Sequence, residues 1–425
     1  MKPIRLDVGN GLQLYCITTD KFKSEYLSMQ FCLPLLAETA QENALLSVVL
    51  RRGTKRFPDK QRLNRHLDDL YSTAIGIRNR RLGDMQNIGF TADFLGERYI
   101  GGERLLLEVI DTLREILFEP SLEQGLLRRE FVESEKNNLR DAIRAAVNDP
   151  RAYAIAGCRK LLCAGEPFAL SLIGDETTVD AISAASLTKR YQAFLKQAVP
   201  VFFYVGNTPP EHVAELLRAA FSSLSGKLPS LDARVAAPSG KIARREEEMP
   251  LCQGKLSIGF RTDVSLSHRL APALLLLNEI YGGSAASKLF LNVREKRSLC
   301  YHCSSSLDLY KGVMLANSGM KPENRQITEE AMLEEFYALQ RGEITSGELE
   351  AARRSLDHSY AHLFDHPGAL CDFYLGRVLA GNPDTVSEWR QKVAAVRLDE
   401  IVEVAQSLGV GAAFFLKGTL EEDDE

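Results

Sequence analysis

YGGSAASKLFLNVREKRSLCYHCSSSLDLY, residues 281–310, is the stretch around which the rest of the chain is organised. Gly282-Gly283 break the backbone and open an amphipathic helix in which Ala286, Leu289 and Val293 share a face. The helix ends in the charged run of residues 294–297. An alternating strand follows, with Tyr301, Cys303 and Ser305 pointing one way and His302, Ser304 and Ser306 the other. The helix end and the strand start therefore bring Arg294 and Tyr301 towards one place. Such a pair can bind and polarise a peptide carbonyl, but it cannot cut the bond unaided.

Working outward, the chain repeats itself. AVPVFFYVGNT (198–208) has a near copy in VGAAFFLKGTL (410–420), and GDETTVDAISAASLTKRY (174–191) has one in GNPDTVSEWRQKVAAVRLDEIV (381–402). The helix–strand unit at 58–94 resembles that at 284–320, with Tyr71 placed as Tyr301 is. Three anchors in the same order predict a tandem duplication. Each half reads as strands, helix, helix, strands, helices, strand. That pattern predicts an α+β fold, a mainly antiparallel sheet with helices packed on one face. The halves are expected at 1–222 and 250–425, joined by a linker at 223–249 that is rich in Pro, Ser, Gly and charge.

Within the first half, strands are expected at 4–17 and 25–33, a helix from Gln41 to Arg52 and another from Pro58 to Tyr71. Residues 72–94 read as two strands joined at Leu82-Gly83-Asp84, followed by helices near 101–117 and 121–147. LCQGKLSIGFRTD (251–263) is expected to be the first strand of the second half.

A chain of 425 residues exceeds one ordinary core, and its 45% hydrophobic and 26% charged residues are a globular mix. A net charge of −5 provides no basic field, which argues against nucleic acid as a partner. The opening MKPIRLDVGNGLQLYC lacks the apolar core of a signal peptide and no stretch is long enough to span a membrane, so a cytoplasmic protein is expected. Eight scattered cysteines read as reduced thiols rather than a disulfide scaffold.

LFLNVREKRSLCY (289–301), preceded by Gly282-Gly283, resembles the second-half signature of the pitrilysin and mitochondrial processing peptidase family. The resemblance implies two similar α+β halves enclosing a peptide-sized chamber. It also implies that an Arg and a Tyr seven positions apart, here Arg294 and Tyr301, assist peptide hydrolysis. The family's zinc motif, H-x-x-E-H, lies on the first helix of the N-terminal half. In this chain that helix is ENALLSVVLRRGTKRFP (42–58), and counting back from Gly53 the three chemical positions fall on Ala44, Ser47 and Val48. Ala44 and Val48 offer a metal no lone pair, and Ser47 is no base near neutral pH. The family's third ligand corresponds to Glu135 in FVESEKNNLRDAI. A lone carboxylate does not hold zinc, and Glu135 reads as a solvated or salt-bridged helix residue.

The resemblance thus implies a chain that keeps the substrate-assisting half of the site and lacks the metal half. It would bind no cofactor itself and act as the non-zinc subunit of a heterodimeric peptidase, with zinc in a homologous partner and peptide as substrate. For the isolated chain, a monomer and a homodimer both stay open. The alternative, from a different class, is a catalytically inactive scaffold that binds peptide or protein.

Other features weigh less. His358, His362 and His366 in HSYAHLFDH recur every four residues, yet no carboxylate lies between the first two, and they read as surface or interface histidines. Cys300 and Cys303 are expected on opposite sides of a strand, with His302 pointing away from its neighbour Cys303, as core and rim residues rather than ligands or nucleophiles. Gly282, Gly283 and Ser284 are expected to form a turn where close backbone approach lets a peptide bind beside the sheet. The acidic run at 421–425 reads as a disordered tail.

Overall fold

The computed structural model describes residues 2–101, 104–231, 240–382 and 384–420. The acidic run at 421–425 and the middle of the expected linker lie outside them. The chain opens with β1 (Ile4–Gly9), β2 (Leu12–Thr18), β3 (Ser24–Pro34), α1 (Ala40–Leu50) and α2 (Lys60–Asp69). It continues through β4 (Ala74–Leu82), β5 (Met85–Leu95) and α3 (Leu105–Phe118) to a small hairpin, β6 (Leu122–Glu123) and β7 (Leu126–Leu127). Next come α4 (Arg129–Ala145), α5 (Pro150–Leu162), α6 (Glu176–Ala181), α7 (Ala184–Gln197), β8 (Pro200–Gly206) and α8 (Pro210–Ala220). The second half begins with β9 (Ala243–Met249), β10 (Gly254–Arg261) and α9 (Ala271–Asn278). Wide helical turns over Glu279–Gly283 and Leu289–Lys296 lead to β11 (His302–Asp308) and β12 (Val313–Met320). The chain closes with α10 (Arg325–Gln340), α11 (Ser346–His362), α12 (Pro367–Leu379), α13 (Val386–Ala395), α14 (Leu398–Ser407) and β13 (Gly409–Gly418).

Strand order carries the duplication. The first sheet runs β1-β2-β8-β3-β5-β4 and the second β9-β13-β10-β12-β11, so apart from β1 the two orders correspond strand for strand. The parallel pair also falls in the same place, β2 with β8 and β9 with β13, and the other pairs are antiparallel. The repeated FF strings are the inner strands β8 and β13. The repeated stretch after each glycine starts a helix in the same way: Asp175 caps α6 with Thr178, and Thr385 caps α13 with Glu388, each as a reciprocal capping box. The fold is α+β, as expected.

Each compact unit borrows one helix from the other half of the sequence. The first comprises residues 1–144, 170–230 and 366–379, and the second 145–169, 231–365 and 380–425. In the first unit, Leu27, Met29, Phe31, Phe90 and Phe202 pack one sheet face onto Leu106, Val109, Ile110 and Leu113 of α3. On the opposite face Arg78 and Arg80 of β4 donate to Asp372 of α12 (2.9 and 2.6 Å). In the second unit, Phe260 packs against Tyr281 and Phe336. The other face of that sheet receives α5, where Gly157 lies flat on Phe414 and a Cβ there would come within 2.6 Å of its ring. Glu166, just beyond α5, accepts two hydrogen bonds from Arg261 (2.6 and 2.8 Å) and meets Lys311 Nζ at 3.0 Å. Residues 145–169 were expected with the first half and 366–379 with the second. The packing surface and the ion pairs, rather than position in the chain, determine which sheet each helix covers.

Four local expectations need correction. Residues 243–249, expected in the linker, form edge strand β9; its charged sequence ARREEEM is mostly solvent-facing, which is why composition resembles a linker. Strand β10 is therefore the second strand of its half. Residues 4–17 are a hairpin, β1 and β2, that turns at Asn10-Gly11, both with positive φ (55° and 84°). The helix expected from 121 begins at Arg129, because Gln124 and Gly125 take positive φ and close the small hairpin first.

Candidate functional site

In the second unit α9 continues into the wide turn over Glu279–Gly283. Gly282-Gly283 therefore end a helix rather than open one. A Cβ on Gly282 would lie 2.5 Å from the Ser305 amide nitrogen and 2.8 Å from Leu289 Cδ1, so its bare backbone seats the helix against edge strand β11. The close approach expected to admit a peptide is thus filled by the chain's own strand. Ser284 turns inward too, its hydroxyl lying 3.4 Å from the Glu279 carbonyl oxygen.

The Leu289–Lys296 segment then buries Leu289 and Val293 as the sequence pattern requires, leaving Ala286 half-buried. It ends in long-range helical bonds, Arg297 N–H to the Asn292 carbonyl and Leu299 N–H to the Val293 carbonyl (both 3.2 Å), and Ser298 takes a positive φ of 51°. Tyr301 N–H donates to the Gly319 carbonyl (2.8 Å), and the ladder of β11 follows. This sharp reversal puts Arg294 and Tyr301 on the wall of one open hollow of about 390 Å³, with Glu295, Ser298, Leu299, Cys300, Lys321 and Asn324. The Arg294 guanidinium stands over the Phe290 ring, 4.7 Å from its centre, and Tyr301 is 44% exposed. The hollow can hold and polarise a carbonyl group by charge and hydrogen bonding. Lys321 and Asn324, at the far end of β12, were missed in the sequence; pairing of His302 with Gly319 is what brings them there.

In the first unit, α1 carries the three positions expected to have lost their metal chemistry. Ala44 is buried, the Ser47 hydroxyl donates to the Ala44 carbonyl (2.8 Å), and Val48 faces outward. Glu135 of α4 pairs with Arg52 just after α1 (3.1 Å) and accepts from Asn138 (2.9 Å), so its carboxylate serves a structural ion pair. A methyl, an occupied hydroxyl, an isopropyl group and a neutralised carboxylate do not fit a zinc ion. Among the described residues, no group of three or more His, Cys, Asp or Glu side chains is placed to hold a metal.

Residues 181–356 match the family described as the peptidase M16 inactive domain. That segment of the chain is similar to the M16 inactive domain. Over 412 residues it is 28% identical to the probable inactive metalloprotease YmfF of Bacillus subtilis (strain 168), covering 96% of each. It is 25% identical over 305 residues to the uncharacterized zinc protease YmxG of the same strain, covering 70% of this chain and 72% of that one. A conserved protein of Enterococcus faecalis V583 has a similar solved structure, with a TM-score of 0.90, 28% identity and all of both chains covered.

The matched segment also holds Cys300, His302 and Cys303, and here a sequence expectation fails. Cys300 precedes β11, so strand alternation does not apply to it, and its thiol lies within hydrogen-bond reach of Cys303. That bond lowers Cys300 to about 7 against the opposing effect of burial, and Ser318 and Arg294 lower it further. The same bond and burial push Cys303 well up, so the proton stays there. His302 lies over Gly319, where a Cβ would come within 2.7 Å of the ring. Burial, then Arg151, Lys255 and Arg294, lower it to about 4, so it is neutral near pH 7.

His358 and His362 are exposed, their Nε2 atoms 3.0 Å apart. Helix α11 ends at His362, so His366 does not continue their face.

Proposed function

We propose that this chain is the non-zinc subunit of a heterodimeric peptidase, binding peptide and supplying Arg294 and Tyr301 to a zinc site on a homologous partner. The observation that carries this reading is an asymmetry. Arg294 and Tyr301 share an open hollow, while Ala44, Ser47, Val48 and an ion-paired Glu135 stand at the metal positions. In this role the Tyr301 hydroxyl donates to the scissile carbonyl oxygen as it gains charge, and Arg294 adds positive charge and holds the substrate backbone. Bacillus subtilis strain 168 supports the pairing by carrying two relatives of this chain, one named an inactive metalloprotease and the other a zinc protease. The proposed location is the cytoplasm; no helix among the described residues is long and apolar enough to cross a membrane.

The second reading is an inactive peptide- or protein-binding scaffold, favoured by the inactive-domain match and the name of the first relative. Co-expression with a zinc-bearing homologue from the same genome separates the two. The peptidase reading expects the pair to cleave peptides that neither chain cleaves alone. Tyr301→Phe then lowers kcat by about 100- to 1000-fold, the usual cost of one oxyanion donor. Unchanged rates in both Tyr301→Phe and Arg294→Ala would leave the scaffold reading standing.

A further inference from the structure

We propose that Cys300 and Cys303 are a thiol–disulfide couple on the wall of the Arg294 and Tyr301 hollow, with a low-molecular-weight disulfide such as oxidised glutathione as oxidant. The inference is independent of the peptidase reading, because its chemistry involves the thiols alone.

The geometry is that of an attacking and a resolving thiol. Cys300-Tyr301-His302-Cys303 has the two-residue spacing of dithiol redox motifs. Cys300 is half-buried and lines the hollow, where a small disulfide can reach it. Cys303 is 5% exposed, on the inward side of β11, with its sulfur beside that of Cys300. Ser318, opposite Cys303 on β12, hydrogen-bonds to both thiols. Arg294 from the helical segment acts on Cys300 and the buried Tyr281 lies near Cys303, while Glu295 and Lys321 line the same hollow. The positive charge of Arg294 favours a thiolate at Cys300. Elsewhere Cys16, Cys32, Cys158, Cys163 and Cys371 are buried, and burial pushes Cys16, Cys32 and Cys158 up to about 12.

The exchange balances in two steps. The Cys300 thiolate attacks one sulfur of oxidised glutathione, forming a mixed disulfide and expelling one glutathione thiolate, which takes a proton from solvent. Cys303 then loses its proton to solvent and attacks the Cys300 sulfur, forming the internal disulfide and expelling the second glutathione. The two protein thiols give up two electrons, and the glutathione disulfide is reduced. Tyr301 lies inside the ring that closes, so oxidation restrains the side chain that faces the hollow.

The test equilibrates the full chain in glutathione buffers of graded ratio, quenches with acid, alkylates and maps peptides by mass spectrometry. The expected wild-type product is a Cys300–Cys303 disulfide that forms before any other cysteine reacts. Cys303→Ser traps glutathione on Cys300, and Cys300→Ser yields neither product. Iodoacetamide should label Cys300 of the reduced chain first, with a midpoint at about pH 7. Glutathione accumulating on wild-type Cys300 without internal closure would overturn the couple, as would Cys300 reacting no faster than Cys252. Both readouts use the wild-type chain, so neither depends on a variant folding.

Discussion

Replacing Glu166 by Gln tests how the second unit holds α5. The carboxylate accepts 2.6 and 2.8 Å bonds from Arg261 and meets Lys311 Nζ at 3.0 Å. The Lys311 side chain is 0% exposed and that of Arg261 10%, so the neutral amide leaves two cations out of water beside it. Breaking a buried pair from one side costs about 3–5 kcal/mol, and the partial exposure of Glu166 puts the expectation near the lower bound, about 3 kcal/mol. With a urea slope of about 2 kcal/mol per molar, the unfolding midpoint should fall by roughly 1.5 M. Trp389, the one tryptophan of the chain, is buried in the second unit and reports that unit by fluorescence.

Two controls bear on the cause. Adding Lys311→Met to Glu166→Gln should recover part of the loss, because one of the two buried cations that lost the Glu166 charge is then gone. Burial raises Glu166, but its bonds from Arg261 and Lys311 outweigh this and hold the carboxyl below its usual range. Its contribution is therefore present above the ordinary carboxylate value of about 4.3 and lost as pH falls through the lower folded value. The Gln variant should show no such loss. A midpoint shift below roughly 0.3 M, or a double variant no more stable than the single one, would refute the argument.

Other perturbations follow from the same contacts. His302 is held at about 4, below its ordinary value of about 6.5, so the unfolded chain takes up its proton first. Wild type should lose stability relative to His302→Gln as pH falls from about 6.5 to about 4, read from urea midpoints with Trp389 as probe. Gly282→Ala drives a methyl against the Ser305 amide and should cost about 1–3 kcal/mol in the same assay. Asp372→Asn removes two partly exposed ion pairs, with Arg78 and Arg80 at 44% and 27% exposure, and should cost about 1 kcal/mol or less in a thermal melt. A loss from Asp372→Asn as large as that from Glu166→Gln would show that burial does not set the scale.

The duplication was legible because inner strands bury both faces and so repeat as apolar strings, FFYVG in β8 and FFLKG in β13. Capping boxes made the helix starts at Asp175 and Thr385 legible for a different reason, since each is a local hydrogen-bond pattern complete within four residues. Edge strand β9 was not legible. Its outward face is charged, and what makes ARREEEM a strand is a parallel ladder to residues about 170 positions later.

From its residues alone, this chain's α+β class, its internal repeat and the seven-residue spacing of Arg294 and Tyr301 could be read, because each depends on neighbours in sequence. Tertiary structure decided that α5 and α12 cover sheets of the opposite halves, that Gly282 serves Ser305, and that two thiols expected on opposite faces meet. Those outcomes rest on contacts between distant segments and on one backbone reversal at Ser298, neither of which local periodicity can encode.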